Sequence, residues 1–151
     1  MALYAQNKKA KHDYEWLDKF EAGIVLLGGE VKSIRAGRLS LKESYVKITK
    51  KGEIFLTNAH IPVPAYVPQY ARFDEKRDRK LLMHKKEILK LKSKIDEKGL
   101  TIIVSNVYQP DGGKNIKVQV VLARGKKIFD KKQSIKERDI KRDMERTIKN
   151  Y

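Results

Sequence analysis

Three histidines, His12, His60 and His84, are the only imidazoles in the sequence, and imidazole is the commonest base at neutral pH. They lie far apart, and neither His-Glu-x-x-His nor His-x-x-Glu-His, the spacings that bring ligands to one helix face, occurs. Cysteine is absent, which excludes disulfides and thiolate zinc sites. No Gly-x-Ser-x-Gly turn presents a nucleophile, and Gly28-Gly29-Glu30 lacks the further glycines and the Lys-Ser/Thr pair of a phosphate loop. The expectation is a protein without catalytic activity, metal or cofactor.

The chemistry that the sequence does supply is cationic. Lys and Arg number 35 against 19 Asp and Glu, a formal charge of +16 on 151 residues, which points to a polyanion and first to nucleic acid. Lys8, Lys9, Lys11 and His12 precede Tyr14 and Trp16, placing cations beside rings able to stack on exposed bases. Trp16 and Phe20 are assigned to the core, and Tyr14 is the candidate for stacking. Lys32, Arg35 and Arg38 recur at i, i+3 and i+6, the spacing of a basic helix edge against phosphates. Glu21 stands out as an acid directly before Ala22-Gly23. It can accept hydrogen bonds from a base or pair with a neighbouring lysine. A membrane surface is disfavoured, because no basic amphipathic stretch carries a broad Trp/Phe/Leu face and no apolar run approaches a membrane span. The N-terminal segment lacks the apolar stretch of a secretion signal, so a cytoplasmic protein is expected.

The segment 125–151 is charged and poor in apolar residues. Ser134-Ile135-Lys136-Glu137 has the form of a capping box, and Ile140, Met144 and Ile148 form one narrow stripe along the helix it would start. Glu137 with Lys141, and Glu145 with Lys149, add about 0.2–0.5 kcal/mol per pair. So thin a stripe leaves the helix marginal in water. A tail that orders on an anionic partner is one reading, and a solvated terminal helix packed weakly on the domain is the other.

The elements that must position these residues follow from periodicity. Residues 1–12 read as an exposed arm. From Tyr14 to Leu26 the even positions are largely apolar, the pattern of a long half-buried strand, and Val31 and Ile34 then suit a short helix before Gly37. Residues 45–49 and 54–58 alternate around Lys50-Lys51-Gly52-Glu53, a hairpin signal. A loop containing Pro62, Pro64 and Pro68 runs to about Asp78. Ile88, Leu89, Leu91 and Ile95 mark a helix ending near Gly99, with Leu81-Leu82-Met83 as its start or lead-in. Two more strands, around 100–104 and 116–122, join across Pro110-Asp111-Gly112-Gly113. Five strands with the main helix between the third and fourth is the order of an OB-fold-like closed β-barrel. The predicted division is a barrel with a basic arm over 1–124 and a basic tail over 125–151.

Five blocks, in order along the chain, resemble the SmpB family, small protein B or SsrA-binding proteins. They are Asn7-Lys8-Lys9-Ala10-Lys11-His12-Asp13-Tyr14, Phe20-Glu21-Ala22-Gly23-Ile24, Gly29-Glu30-Val31-Lys32-Ser33-Ile34-Arg35, Arg79-Lys80-Leu81-Leu82-Met83-His84-Lys85, and Gly125-Lys126-Lys127 with Asp130-Lys131-Lys132. The resemblance implies an OB barrel that binds the tRNA-like domain of transfer-messenger RNA. It also implies that the protein carries this RNA, with elongation factor Tu, to ribosomes stalled without a stop codon, acting as a monomer with no catalysis of its own. Asn7, Lys8 and His12 match the family's N-terminal RNA-binding motif, and Glu21, Leu82 and His84 match further positions linked to the tRNA-like elbow. Lys126, Lys127, Asp130, Lys131 and Lys132 match the start of a tail that enters the decoding centre and empty messenger channel and there becomes helical. Phe129, Ile140, Lys141 and Arg142 belong to the same ribosome-engaging segment. Phe129 stands where the family often has His, Ile140 where it often has Trp, and Thr147-Ile148 replace a bulkier apolar pair. A general ribosomal or single-strand RNA-binding OB protein without rescue activity is the alternative; it accounts for the charge and the barrel but not for a separate helix-competent tail.

Overall fold

The computed structural model describes residues 1–97 and 99–125. Seven strands form one antiparallel sheet: β1 (Ala2–Gln6), β2 (Tyr14–Ile24), β3 (Tyr45–Ile48), β4 (Ile54–Thr57), β5 (Arg79–Leu82), β6 (Leu100–Gln109) and β7 (Lys117–Gly125). Helix α1 (Lys8–Asp13) follows β1, α2 (Gly28–Arg35) follows β2, and α3 (Lys85–Ile95) stands between β5 and β6. The strands run β6-β3-β4-β5-β2-β7, and β7 pairs back to β6, which closes the barrel. β6 is long enough for two partners on one edge: Ile102 pairs with Val46 of β3, and residues 106–109 pair with β1. Closure leaves no long unpaired edge in the barrel wall among the described residues.

The barrel is filled by inward side chains of β2 to β7, among them Ala22, Val46, Ile54, Leu56, Leu81, Ile102, Val104, Val118, Val120 and Leu122. Each such Val, Leu or Ile contributes about 1.5–3 kcal/mol on burial. Leu91 of α3 and Ile34 of α2 are also buried in this core. A second, smaller cluster lies on the other face of β6 and β7, where Ile103, Val121 and Ala123 receive Ala10 of α1, with Tyr14 and Trp16 packed alongside. A β2 bulge between Trp16 and Asp18 resets the alternation of that strand, so that Trp16 and Phe20, both at even positions, join different clusters. Trp16 pairs with Ala123 and faces α1, whereas Phe20 pairs with Val120 and faces the barrel interior.

The barrel class, the long first strand, the 45–58 hairpin with Gly52 at φ +83°, and α2 and α3 agree with expectation. Several elements differ. The expected arm is a strand and a capped helix, and Leu81-Leu82 belong to β5 rather than to α3. There are thus seven strands instead of five, and β5 intervenes between the hairpin and the main helix. Trp16 packs under α1 and not in the barrel core. Arg38 lies beyond the end of α2, which stops at Arg35 ahead of Gly37 at φ +75°.

Candidate nucleic-acid interface

The N-terminal set is held on a rigid element. Asn7 is the N-cap of α1, its Oδ1 accepting the Ala10 N–H at 3.2 Å, and its own N–H donates to the Ser105 carbonyl at 2.7 Å. Trp16 Nε1 donates to the Ala10 carbonyl at 3.2 Å, pinning the helix from the β2 side. Six residues with one buried apolar side chain could not hold a helix unaided. The cap, the Trp16 bond and buried Ala10 do so, and they leave Lys8, Lys9 and Lys11 exposed to solvent. His12 Nδ1 lies 2.9 Å from Asp13 Oδ1, and Lys9 Nζ is 4.0 Å from Asp13 Oδ2. Tyr14, half-buried against the second cluster, has less ring free for stacking than the sequence suggested.

Seven residues along β2, about 23 Å at the rise of a strand, Glu21 opens a different surface. A groove of about 550 Å³ is lined by Glu21 and Gly23 of β2, Lys80, Leu81 and Leu82 of β5, Met83, His84, Glu87 and Lys117 among others. Glu21, Leu82 and His84, 61 to 63 positions apart in sequence at their extremes, are thereby brought together by the β2–β5 pairing, in which Gly23 faces Leu82. Gly23 matters to that approach: a Cβ there would stand 3.3 Å from the Leu82 Cβ. Leu82 is 54% exposed, an apolar side chain on the groove wall.

The groove carries carboxylates within a strongly basic protein, and each has a distinct environment. Glu53 lies 3.9 Å from Lys80 Nζ, and Glu87 accepts the His84 N–H at 3.3 Å as α3 begins. Glu21 Oε2 accepts the Tyr108 hydroxyl at 2.6 Å, while its Oε1 accepts no hydrogen bond within the described residues. Burial, and then the Glu21 carboxylate, hold the Tyr108 phenol well above its ordinary value. Tyr108 is therefore a fixed donor that orients Glu21 and leaves one carboxylate oxygen facing solvent. Such an oxygen repels phosphate and suits an amino or imino N–H on a base edge.

A second groove adjoins the first, sharing Gly23, Leu82 and Lys117 and continuing to Val25, Leu26, Val31 and Arg35. Lys117 lines both grooves and was not among the residues singled out from sequence, nor were Tyr108 and Lys80. Their signal is parity: Lys117 alternates with Ile116 and Val118, which point into the barrel. Lys32 is exposed one turn before Arg35 on α2, its Nζ 5.4 Å from the centre of the Tyr66 ring. The structure thus gathers Glu21, Leu82, His84 and Arg35 on contiguous surface with Lys32 beside it, and sets Asn7, Lys8, Lys9, Lys11, His12 and Tyr14 at the other end of β2. Gly125 closes β7 opposite Tyr14, its N–H donating to the Gly99 carbonyl at 3.1 Å. Lys126, Lys127, Phe129, Asp130, Lys131, Lys132, Ile140, Lys141 and Arg142 lie outside the described residues.

The chain has relatives among known proteins that are similar over nearly its whole length. The family model described as SmpB protein matches residues 4–150. The SsrA-binding protein of a Sulfurihydrogenibium species is 51% identical over 149 residues, covering 97% of this chain and 94% of its own length. That of Solidesulfovibrio magneticus is 46% identical over 149 residues, covering 99% of this chain and 94% of its own. Among solved structures, a chain from one described as "tmRNA-SmpB: a journey to the center of the bacterial ribosome" superposes with a TM-score of 0.68 at 42% identity, over 87% of this chain and 93% of that one. The blocks that resembled the family in the sequence are thus part of a likeness running nearly the full length, and the chain belongs to the SmpB family.

Proposed function

We propose that the protein binds the tRNA-like domain of transfer-messenger RNA and brings it, with elongation factor Tu attached through the RNA, to stalled ribosomes. The observation that carries this reading is the convergence of Glu21, Leu82 and His84, from β2, β5 and the start of α3, on one groove. A single-strand binder needs a basic channel with stacking platforms. This groove instead mixes an oriented carboxylate, an exposed leucine and Lys80 and Lys117, which fits a folded RNA elbow with splayed bases and nearby phosphates. The names of its relatives, SsrA-binding protein, support the same partner. In this reading the barrel over 1–124 acts as a monomer in the cytoplasm and recognises the RNA. The basic segment 125–151, leaving β7 at Gly125, engages the small-subunit RNA.

The test is competition at one fixed salt concentration, because phosphate contacts alone make any affinity salt-dependent. Labelled tRNA-like domain bound to the protein is challenged with unlabelled copies of itself and with an unstructured RNA of equal length. Displacement by the folded RNA at concentrations at least tenfold lower is expected. Equal displacement by both would leave a general RNA-binding OB protein.

A further inference from the structure

The loop between β4 and β5 does nothing for the barrel interior at its tip, yet it is anchored with unusual care. Its ends meet at Glu75: the Ile61 N–H donates to the Glu75 carbonyl at 2.9 Å, the Val63 N–H to Glu75 Oε2 at 2.6 Å, and His60 Nε2 lies 3.2 Å from Oε1. Beneath them Arg79, fully buried, donates to Glu30 Oε2 at 2.8 Å, to the Ala59 carbonyl at 2.7 Å and to the Glu75 carbonyl at 3.0 Å. Arg77 forks onto the same Glu30 carboxylate, and the Ser33 hydroxyl donates to the Pro62 carbonyl. Phe73 and Val67 rest on Gly29, where a Cβ would stand 3.0 Å from the Phe73 ring. A compact surface loop whose ends are held together at its base has the form of an Ω-loop.

What this base supports is two aromatic rings in solvent. Tyr66 is 69% and Tyr70 92% exposed, and Pro64 and Pro68 with the single 3₁₀ turn Gln69–Ala71 limit the backbone between them. Lys32 stands over the Tyr66 ring, and Lys32, Arg35, Arg38 and Lys76 form no salt bridge within the described residues. Stiffened exposed tyrosines, one with the unneutralised Lys32 over its ring, match an unstacked nucleobase flanked by phosphate, since every base has a face to stack and Tyr loses little entropy in offering one. We propose that residues 63–75 form a second RNA contact, Tyr66 and Tyr70 stacking on unpaired bases while Lys32 holds the neighbouring phosphate. The proposal rests on the RNA-binding reading above and adds to it a surface outside the Glu21 groove.

The test uses the full chain with Tyr66 and Tyr70 both changed to Ala, and separately both to Phe. Each is titrated with the tRNA-like domain and with a single-stranded oligoribonucleotide. Thermal melts should match the parent, because neither ring is buried. The Ala pair should bind at least tenfold more weakly to one or both RNAs, within the about five- to 150-fold range of one stacked base. The Phe pair should stay within about twofold, and the salt slope of all three should coincide because stacking releases no counterions. Ring-proton shifts of Tyr66 and Tyr70 on adding the oligoribonucleotide give the same answer should a melt move. Parental affinity of the Ala pair for both RNAs, with no ring shifts, would overturn the proposal, as would that result combined with lost ribosome binding, which would give the rings to a protein partner. A parent that binds neither RNA would instead sink the RNA-binding reading itself.

Discussion

Changing Glu21 to Gln adds one unit of positive charge to a basic protein, so phosphate attraction alone should strengthen RNA binding. The geometry argues for the opposite sign. Glu21 Oε2 is committed to the Tyr108 hydroxyl at 2.6 Å, and Oε1 is the free acceptor. In the amide, a Tyr108 hydroxyl turned to accept from the NH₂ would leave only a neutral carbonyl, a weaker acceptor, in the groove; a hydroxyl that goes on donating keeps the carbonyl, so the NH₂ turns toward the groove and presents a donor where the carboxylate presented an acceptor. A base N–H that met Oε1 then faces another N–H, and losing such a contact costs about 1–3 kcal/mol, or roughly five- to 150-fold in affinity. The fold should barely change, since Tyr108 keeps an acceptor and exchanges a charge-assisted bond for a neutral one at a cost of about 1 kcal/mol. Ultraviolet titration supplies an internal control: the Tyr108 phenol, held up by burial and by the carboxylate, should ionise at lower pH in the variant. Filter binding to the tRNA-like domain at one salt concentration reads the affinity. E21Q binding as well as the parent, or better, with Tyr108 shifted as expected, would refute the role of Glu21 as a base acceptor.

Asn7→Ala should cost about 1 kcal/mol through the lost cap and shift the fluorescence of Trp16, the only tryptophan, which bonds to α1. Asn7→Ser restores the cap, so RNA binding recovered by Ser assigns Asn7 to holding α1, while binding lost in both assigns its amide to the RNA. Glu30→Gln leaves Arg79 buried without its counter-charge and should destabilise by about 3–5 kcal/mol in urea melts. Burial pushes the Glu30 carboxyl up, but Arg77, the Leu27 N–H and Arg79 together hold it below the ordinary carboxylate range. Its stabilisation is therefore complete above the unfolded-state value and lost as pH falls through the lower folded one, so the variant should lose less stability on acidification than the parent. Changing Lys126, Lys127, Lys131 and Lys132 to Ala should abolish alanyl transfer on stalled ribosomes with only a modest drop in affinity for the free RNA; equal losses in both assays would place these lysines on the RNA-binding face.

The elements legible in the sequence were those whose burial is local and periodic. β6 and β7 are strongly apolar and buried on both faces over 102–105 and 120–123, β2 alternates over most of its length, and the 45–58 hairpin announces itself through Gly52. β5 was not legible because its inward positions are Arg79 and Leu81 while Leu82 faces out. Arg79 is buried only because Glu30, 49 residues earlier, reaches it, and no window of sequence contains both. β1 escaped notice because its five residues carry no strong alternation and gain their place by pairing with residues 106–109 of β6. In the candidate site, Glu21 was conspicuous as an acid among bases, but Tyr108, the group that orients it, lies 87 residues away. Asn7 shows the converse, a residue read for RNA chemistry that also caps the helix presenting its neighbours.

The geometry of β2 makes the two halves of the proposed function separable. One strand carries Tyr14 at one end, opposite Gly125, and Glu21 with Gly23 toward the other, opposite Gln119 and Lys117. Gly125, the last described residue, therefore lies beside α1, with its exposed Lys8, Lys9 and Lys11, about 23 Å from the groove that Glu21 lines. That span exceeds two Debye lengths at physiological salt, so charges at the tail's root have little direct effect on the groove. Coupling between the ends must then pass through the β2–β7 ladder, whose inward residues Val118, Val120 and Leu122 are buried and whose register is fixed by that burial. A packed ladder of this kind transmits position rather than charge. It holds the tail's point of departure at a set distance and direction from the bound RNA, which is what a protein must do if one end grips an RNA elbow while the other reaches for a site on a ribosome.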